Sequence, residues 1–126
     1  MPGPAFNSVA WFEIGSNQPE EVKQFYGRLF GWNFQLNTNT PGVNYHAVVA
    51  PGAEQPSGGV WESEGKFSDY AIFYVFVQDV AATVERAEAL GAKVLMAPVT
   101  DAAGLTFARL EDSTGQHFGV FSAPAQ

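Results

Sequence analysis

The chain is 126 residues long, the size of one domain able to bury a core of its own. Thirteen acidic residues against six basic ones give a net charge of −7, and the six (Lys23, Arg28, Lys66, Arg86, Lys93, Arg109) do not cluster, which excludes the basic stripe that nucleic acid demands. The absence of cysteine rules out disulfides, thiol catalysis and thiolate metal sites, and no apolar run approaches the roughly 20 residues that cross a bilayer.

Residues 1–6 lack the charged start and long apolar stretch of a signal peptide, so a cytoplasmic protein is expected. Acidity of this degree keeps a protein soluble and mildly favours neutral or cationic small ligands. The 14% aromatic content supplies rings for a core or for a ligand pocket.

Val9–Ile14 is a short apolar run closed by Gly15, Ser16 and Asn17, and it reads as a strand. Asn17 with Glu20 three residues on resembles a capping box, and Pro19 suits a first helical turn. Val22, Phe25, Tyr26, Leu29 and Phe30 then form one helical stripe, with charged and polar residues on the other face, and Gly31 ends the helix. Strands follow at Trp32–Asn37, Val43–Ala50 and Ser57–Glu62, separated by the turn cluster Asn37–Gly42 and the loop Pro51–Pro56.

Ser63–Asp69 reads as a short polar linker. Beyond it the order repeats: a strand at Tyr70–Val77, a helix capped by Asp79 with Val80, Val84, Ala87 and Leu90 as its buried stripe, and a glycine stop at Gly91. Three strands complete the second copy: Lys93–Ala97 halted by Pro98, Leu105–Leu110, and Gln116–Phe121 after the Asp112–Gly115 turn. The tail from Ser122 is expected to fray. The fold class is therefore α+β, one domain made of two βαβββ modules, about 8–62 and 70–122, joined by the 63–69 linker.

Three stretches carry a family resemblance: Trp11-Phe-Glu-Ile with Phe25-Tyr26 and Leu29-Phe30-Gly31-Trp32; Val77-Gln-Asp-Val80 leading to Leu90-Gly91-Ala92-Lys93-Val94; and Glu111-Asp-Ser-Thr-Gly115 before an alternating strand. In this order they resemble the vicinal oxygen chelate superfamily of glyoxalase I, bleomycin-resistance proteins, fosfomycin-resistance enzymes and extradiol dioxygenases. Within it, the Trp-Phe-Glu start and Gly58-Gly59 look like the glyoxalase-like branch of antigen-type proteins. The resemblance implies a curved mixed-sheet cleft between the modules and a homodimer partner. In metal-dependent members it implies ligands on the first and last strand of each module, usually histidine or glutamate.

Carried onto this chain, those ligand positions fall on Trp11, Ile72 and Gly119, none of which has a donor side chain, with Glu62 as the one loose candidate. Neighbouring positions (Ala10, Phe12, Ala71, Phe73, Phe118, Val120) are no better. The expectation is a site without a metal or other cofactor.

Glu13 shares a strand face with Trp11 and is a candidate general base or a partner for a cationic ligand; a wet-rim carboxylate is the plainer alternative. His117 is the second candidate base, on the same face as Gly119 and Phe121, and His46 is the other histidine. Convergence of Glu13, His46, Glu62 and His117 would make an unorthodox metal site. Trp11, Trp32, Trp61, Tyr45, Tyr74 and Phe76 are candidate ligand-stacking rings, with Ile72 beside them, and core packing is the alternative for each. Arg109 either clamps a ligand carboxylate or phosphate or is solvated.

The expected function is metal-free binding of an aromatic or cationic small molecule in the inter-module cleft, concretely sequestration of a cationic antibiotic. The alternatives are a glyoxalase-like lyase or isomerase using Glu13 or His117 as base, with or without a displaced divalent metal, and a vestigial cleft whose dimer surface matters instead.

Overall fold

The computed structural model of the chain describes residues 4–38, 44–63, 65 and 68–124. Strand order along the chain is βαβββ twice: β1 (Ser8–Ser16), α1 (Pro19–Phe30), β2 (Asn33–Asn37), β3 (Tyr45–Val49), β4 (Gly58–Glu62), then β5 (Tyr70–Phe76), α2 (Val80–Ala89), β6 (Lys93–Thr100), β7 (Thr106–Glu111) and β8 (His117–Ser122). The repeat legible in the sequence is present, and the fold is α+β. Val43, where the third strand was expected to begin, lies outside the described residues, as do positions 39–42 of the turn cluster and 64, 66 and 67 of the linker. Two compact units emerge, Trp11–Ala71 and Met1–Ala10 with Ile72–Gln126.

In the Trp11–Ala71 unit the strands lie in the order β2-β3-β4-β1. β1 runs parallel to β4 and the other neighbours are antiparallel, so the sheet is mixed. Strand alternation sends Phe12, Ile14, Phe34, His46, Val48 and Val60 to the face that α1 covers. Val48 and Val60 are fully buried there. Trp32 belongs to this side too: its ring stacks on Tyr26 at 5.4 Å and approaches Phe12 and Phe30, both at 5.5 Å.

The α1 N-terminus corrects the capping expectation. The helix starts at Pro19 after Gln18, with no side-chain cap. Asn17 instead ties the end of β1 to the segment before β5: its Oδ1 accepts from Ser63 Oγ at 2.9 Å and from the Gly65 N–H, and its own N–H donates to Asp69 at 3.2 Å. At the other end Gly31 adopts φ 74°, a left-handed cap open to glycine without strain. The apolar stripe is only half used: Val22 and Tyr26 face inward, whereas Phe25, Leu29 and Phe30 are each more than half exposed.

The second unit has the order β5-β8-β7-β6, with β5 parallel to β8 and β8-β7-β6 antiparallel. α2 packs Val80 and Val84 onto Val77, Ala108, Leu110 and Val120. Fully burying a side chain of this kind contributes about 1.5–3 kcal/mol. Asp79 caps this helix as read, accepting from the Ala82 N–H at 3.0 Å, but Leu90 is exposed and outside the buried stripe. β6 also corrects the sequence reading: Pro98 does not halt it. The strand runs to Thr100 because it is the outer strand of this unit's order and its register with β7 shifts twice, so Pro98 occupies an irregular stretch of an edge.

Candidate functional site

The face of the Trp11–Ala71 sheet opposite α1 carries Trp11, Glu13 and Gly15 from β1, Gly59 and Trp61 from β4, and Tyr45 from β3, as the registers Glu13↔Gly59, Gly15↔Trp61 and Tyr45↔Trp61 require. Two glycines set its shape. A Cβ on Gly59 would overlap the Tyr45 ring, and a Cβ on Gly15 would overlap the Tyr70 ring, so each tyrosine lies down on the sheet over a glycine. Gly58, one residue earlier and facing the other way, is covered in the same manner by Phe12.

The tyrosines so placed reach the polar groups between them. Tyr70 donates its hydroxyl to Glu13 Oε2 at 2.5 Å, and Trp11 Nε1 donates to the Tyr45 hydroxyl at 2.8 Å. Glu13 is only 7% exposed. It is therefore no wet-rim residue but a buried carboxylate in a hydrogen-bonded set, as burial requires. The Asn17 tie to Asp69 holds Tyr70, the next residue, beside the end of β1. Tyr70 was not singled out from the sequence. The signal was present only as a glycine on one strand and a large ring on another, and the register that joins them is not written locally.

Several candidates separate from this set. Glu62 alternates to the α1 side of β4, where its Oε1 accepts from Asn44 Nδ2 at 3.0 Å. His46 is on the α1 side of β3, with Nε2 3.3 Å from Lys23 Nζ, and Lys23 pairs with Glu20 at 2.7 Å. Burial first, then the Lys23 ammonium, hold the His46 imidazole below its ordinary pKa and so neutral. His46 and Glu62 thus face away from Glu13, and the unorthodox metal site does not assemble. Trp32 is a packing residue under α1, as described above.

In the second unit Ile72, Tyr74 and Phe76 share a face with Phe107, Arg109, Glu111, His117, Gly119 and Phe121, opposite α2. The Tyr74 ring lies over Gly119, and Phe76 meets Phe121 at 5.3 Å. Arg109 is not solvated: it is 6% exposed, and Nη2 approaches Met96 Sδ at 3.6 Å. The His117 pKa is lowered by burial and then by the Arg109 guanidinium, with Glu111 pulling the other way, so a neutral imidazole stands beside a buried cation. Ile72, Tyr74, Phe76, Arg109 and His117 are therefore brought to one sheet face of their own unit, as Trp11, Glu13 and Trp61 are in theirs.

A divalent metal of the kind the resemblance implies does not fit these residues. Trp11, Ile72 and Gly119 offer no donor, and Glu62 faces the α1 side. Among the described residues no group of three or more histidines and carboxylates is assembled. A surface hollow of about 540 Å³ lies elsewhere, along Glu21, Gln24, Phe25, Arg28 and Leu29 of α1.

Comparison with known proteins agrees with this architecture. The Glyoxalase/Bleomycin resistance protein/Dioxygenase superfamily matches residues 8–120. A glyoxylase-like domain-containing protein of Didymella fabae is 32% identical over 90 residues, 69% of this chain and 70% of its own. The Mycobacterium bovis protein named "Putative glyoxylase CFP32" is 27% identical over 128 residues, and this chain spans 44% of its length against 90% of its own. The structure of protein BH1468 from Bacillus halodurans C-125 superposes with a TM-score of 0.68 at 14% identity, over 94% of this chain and 96% of that one, a likeness of fold. With the repeat, the registers and the match across 8–120 in agreement, the chain belongs to the glyoxalase/bleomycin resistance protein/dioxygenase superfamily.

Proposed function

We propose that this chain is a small-molecule binding protein of the glyoxalase/bleomycin-resistance type that works without a metal ion, holding an aromatic or cationic ligand. The observation that carries the reading is the Glu13 face: a buried carboxylate, oriented by the Tyr70 hydroxyl and flanked by Trp11, Tyr45 and Trp61. A carboxylate set among ring edges and faces attracts a planar cation twice over, by charge and by stacking. The net charge of −7 adds a weak long-range pull on the same ligands.

The test is a thermal-shift and calorimetric screen in EDTA with metal-free bleomycin and small planar cations such as acridine orange. Binding to the native state must raise its melting temperature. The Glu13→Ala variant is expected to bind the hit at least tenfold more weakly, roughly the loss of one charge-assisted contact. Affinity unchanged in Glu13→Ala removes Glu13 from the site.

A second reading has its own support. Burial and the Arg109 guanidinium lower the His117 pKa and keep its imidazole neutral, and a glyoxalase-like lyase or isomerase would use it or Glu13 to move a proton. Turnover of methylglyoxal with a thiol that survives EDTA and disappears in His117→Gln would favour this reading over pure binding.

A further inference from the structure

Residues 5–8 fold into a tight turn that sets one ring down on the sheet of the second unit. The Ala5 carbonyl accepts from the Ser8 N–H at 3.3 Å and from Ser8 Oγ at 2.6 Å. Asn7, the third residue of the turn, has φ 69°, a left-handed conformation that asparagine tolerates and a β-branched residue does not. Its N–H donates to the Phe76 carbonyl at 2.6 Å. Phe6, at the tip, is thereby laid on Phe76, with ring centroids 5.2 Å apart and planes 26° from parallel. Phe76 meets Phe121 at 5.3 Å, and Phe121 meets Tyr74 at 6.4 Å. Phe6 thus ends a series of rings on the face opposite α2. It is 53% exposed, so it covers the Phe76 ring without being enclosed itself.

We propose that Phe6 is an internal occupant of a ring-binding place on Phe76, and that the 5–8 turn is a lid which a flat aromatic ligand displaces. A sheet face that receives one phenyl side chain by stacking receives a ligand ring of similar size in the same way. The stack is made of hydrocarbon rings, Phe6 on Phe76 beside Phe121, so the ligand class is a flat, uncharged aromatic. Displacement is within reach because little holds the lid: one stack, one bond to the Phe76 carbonyl and two bonds inside the turn. A stacked ring pair shifts an equilibrium by about two- to tenfold beyond its buried area. An occupant held that weakly lowers the apparent affinity of a competing ring by a comparable factor, because only the open fraction binds. All of these residues belong to the second unit, and none belongs to the Glu13 face.

The experiment is a titration of the full chain with 2-naphthol followed by amide NMR, with hydrogen exchange at the Asn7 amide as the readout of lid opening. Shifts are expected at Asn7, Phe76 and Phe121. Phe6→Ala is expected to bind the probe about two- to tenfold more tightly than the wild type, since the competitor is gone. Asn7→Val, which keeps the ring but disfavours the turn, is expected to move affinity in the same direction. In the Phe6→Ala background, Phe76→Leu keeps the bulk, removes the ring and is expected to cancel the gain. Saturating probe is expected to speed exchange at the wild-type Asn7 amide, because the lid is pushed off, and not at the Val77 amide, which donates to the Phe121 carbonyl at 2.8 Å. Both sites of substitution in Phe6→Ala and Asn7→Val are exposed, and circular dichroism confirms that each variant folds. Weaker or equal binding in Phe6→Ala overturns the proposal. So does slower or unchanged exchange at Asn7, or no binding by either protein. Shifts centred on Trp11 and Glu13 also overturn it, and would place the ring on the other unit's face.

Discussion

At the scale of single residues, the site depends on what is absent from two positions. Gly59 and Gly15 lack a side chain so that Tyr45 and Tyr70 can lie flat and put their hydroxyls beside Trp11 and Glu13. Gly59→Ala is expected to cost about 1–3 kcal/mol, because the added methyl lifts the Tyr45 ring off the sheet. Urea unfolding measures this, and a double-mutant cycle with Tyr45→Ala should show coupling between the two positions. Additive effects would mean that the ring does not rest on Gly59. From sequence alone Glu13 and Trp11 were legible as face-sharing residues, since alternation is local. The ring-on-glycine contacts were not, because each joins positions brought together only by strand register. Arg109 shows the same limit: a lone cation in a strand reads as solvated or as a clamp, and only the sheet places it in the interior.

Elements obey the periodicity in the chain more than the capping signals. Both helices, both glycine stops and every strand of the repeat were legible, because strand alternation and the 3.6-residue stripe are written directly in the residue order. Asn17 looked like a cap and is a clamp, since its side chain finds Ser63 and the Gly65 N–H, partners far along the chain. Pro98 looked like a terminator, but an edge strand with shifted register has no ladder bond there to lose. The docking of α1 on β3 carries a pH signature. His46 is held below 6.5, so the neutral form is the one that fits the folded state beside Lys23. A lowered folded pKa means stability present above 6.5 and lost as pH falls through the lower folded value. The urea midpoint should therefore drop between about pH 7.5 and about pH 5, and His46→Gln should lose part of that drop. An identical pH response in wild type and His46→Gln would show that His46 does not contribute.

For the whole chain, membership of the superfamily rests on repeat order, registers and the match over residues 8–120, and one fold of this kind hosts many chemistries. Among the described residues no helix is long and apolar enough to cross a membrane. What distinguishes this member is the chemistry of the positions where the resemblance implies metal ligands: indole at 11, a butyl group at 72, hydrogen at 119, and a carboxylate at 62 turned to the other side of its strand. A first-row divalent ion needs several imidazole or carboxylate donors converging on one point, and among the described residues no group of three or more is assembled. The most direct measurement is elemental analysis of the untagged protein after exposure to nickel, zinc and manganese and removal of the excess. A content far below one ion per chain is expected for each metal. One ion per chain, retained by the wild type and lost on substitution of Glu13 or His117, would contradict it.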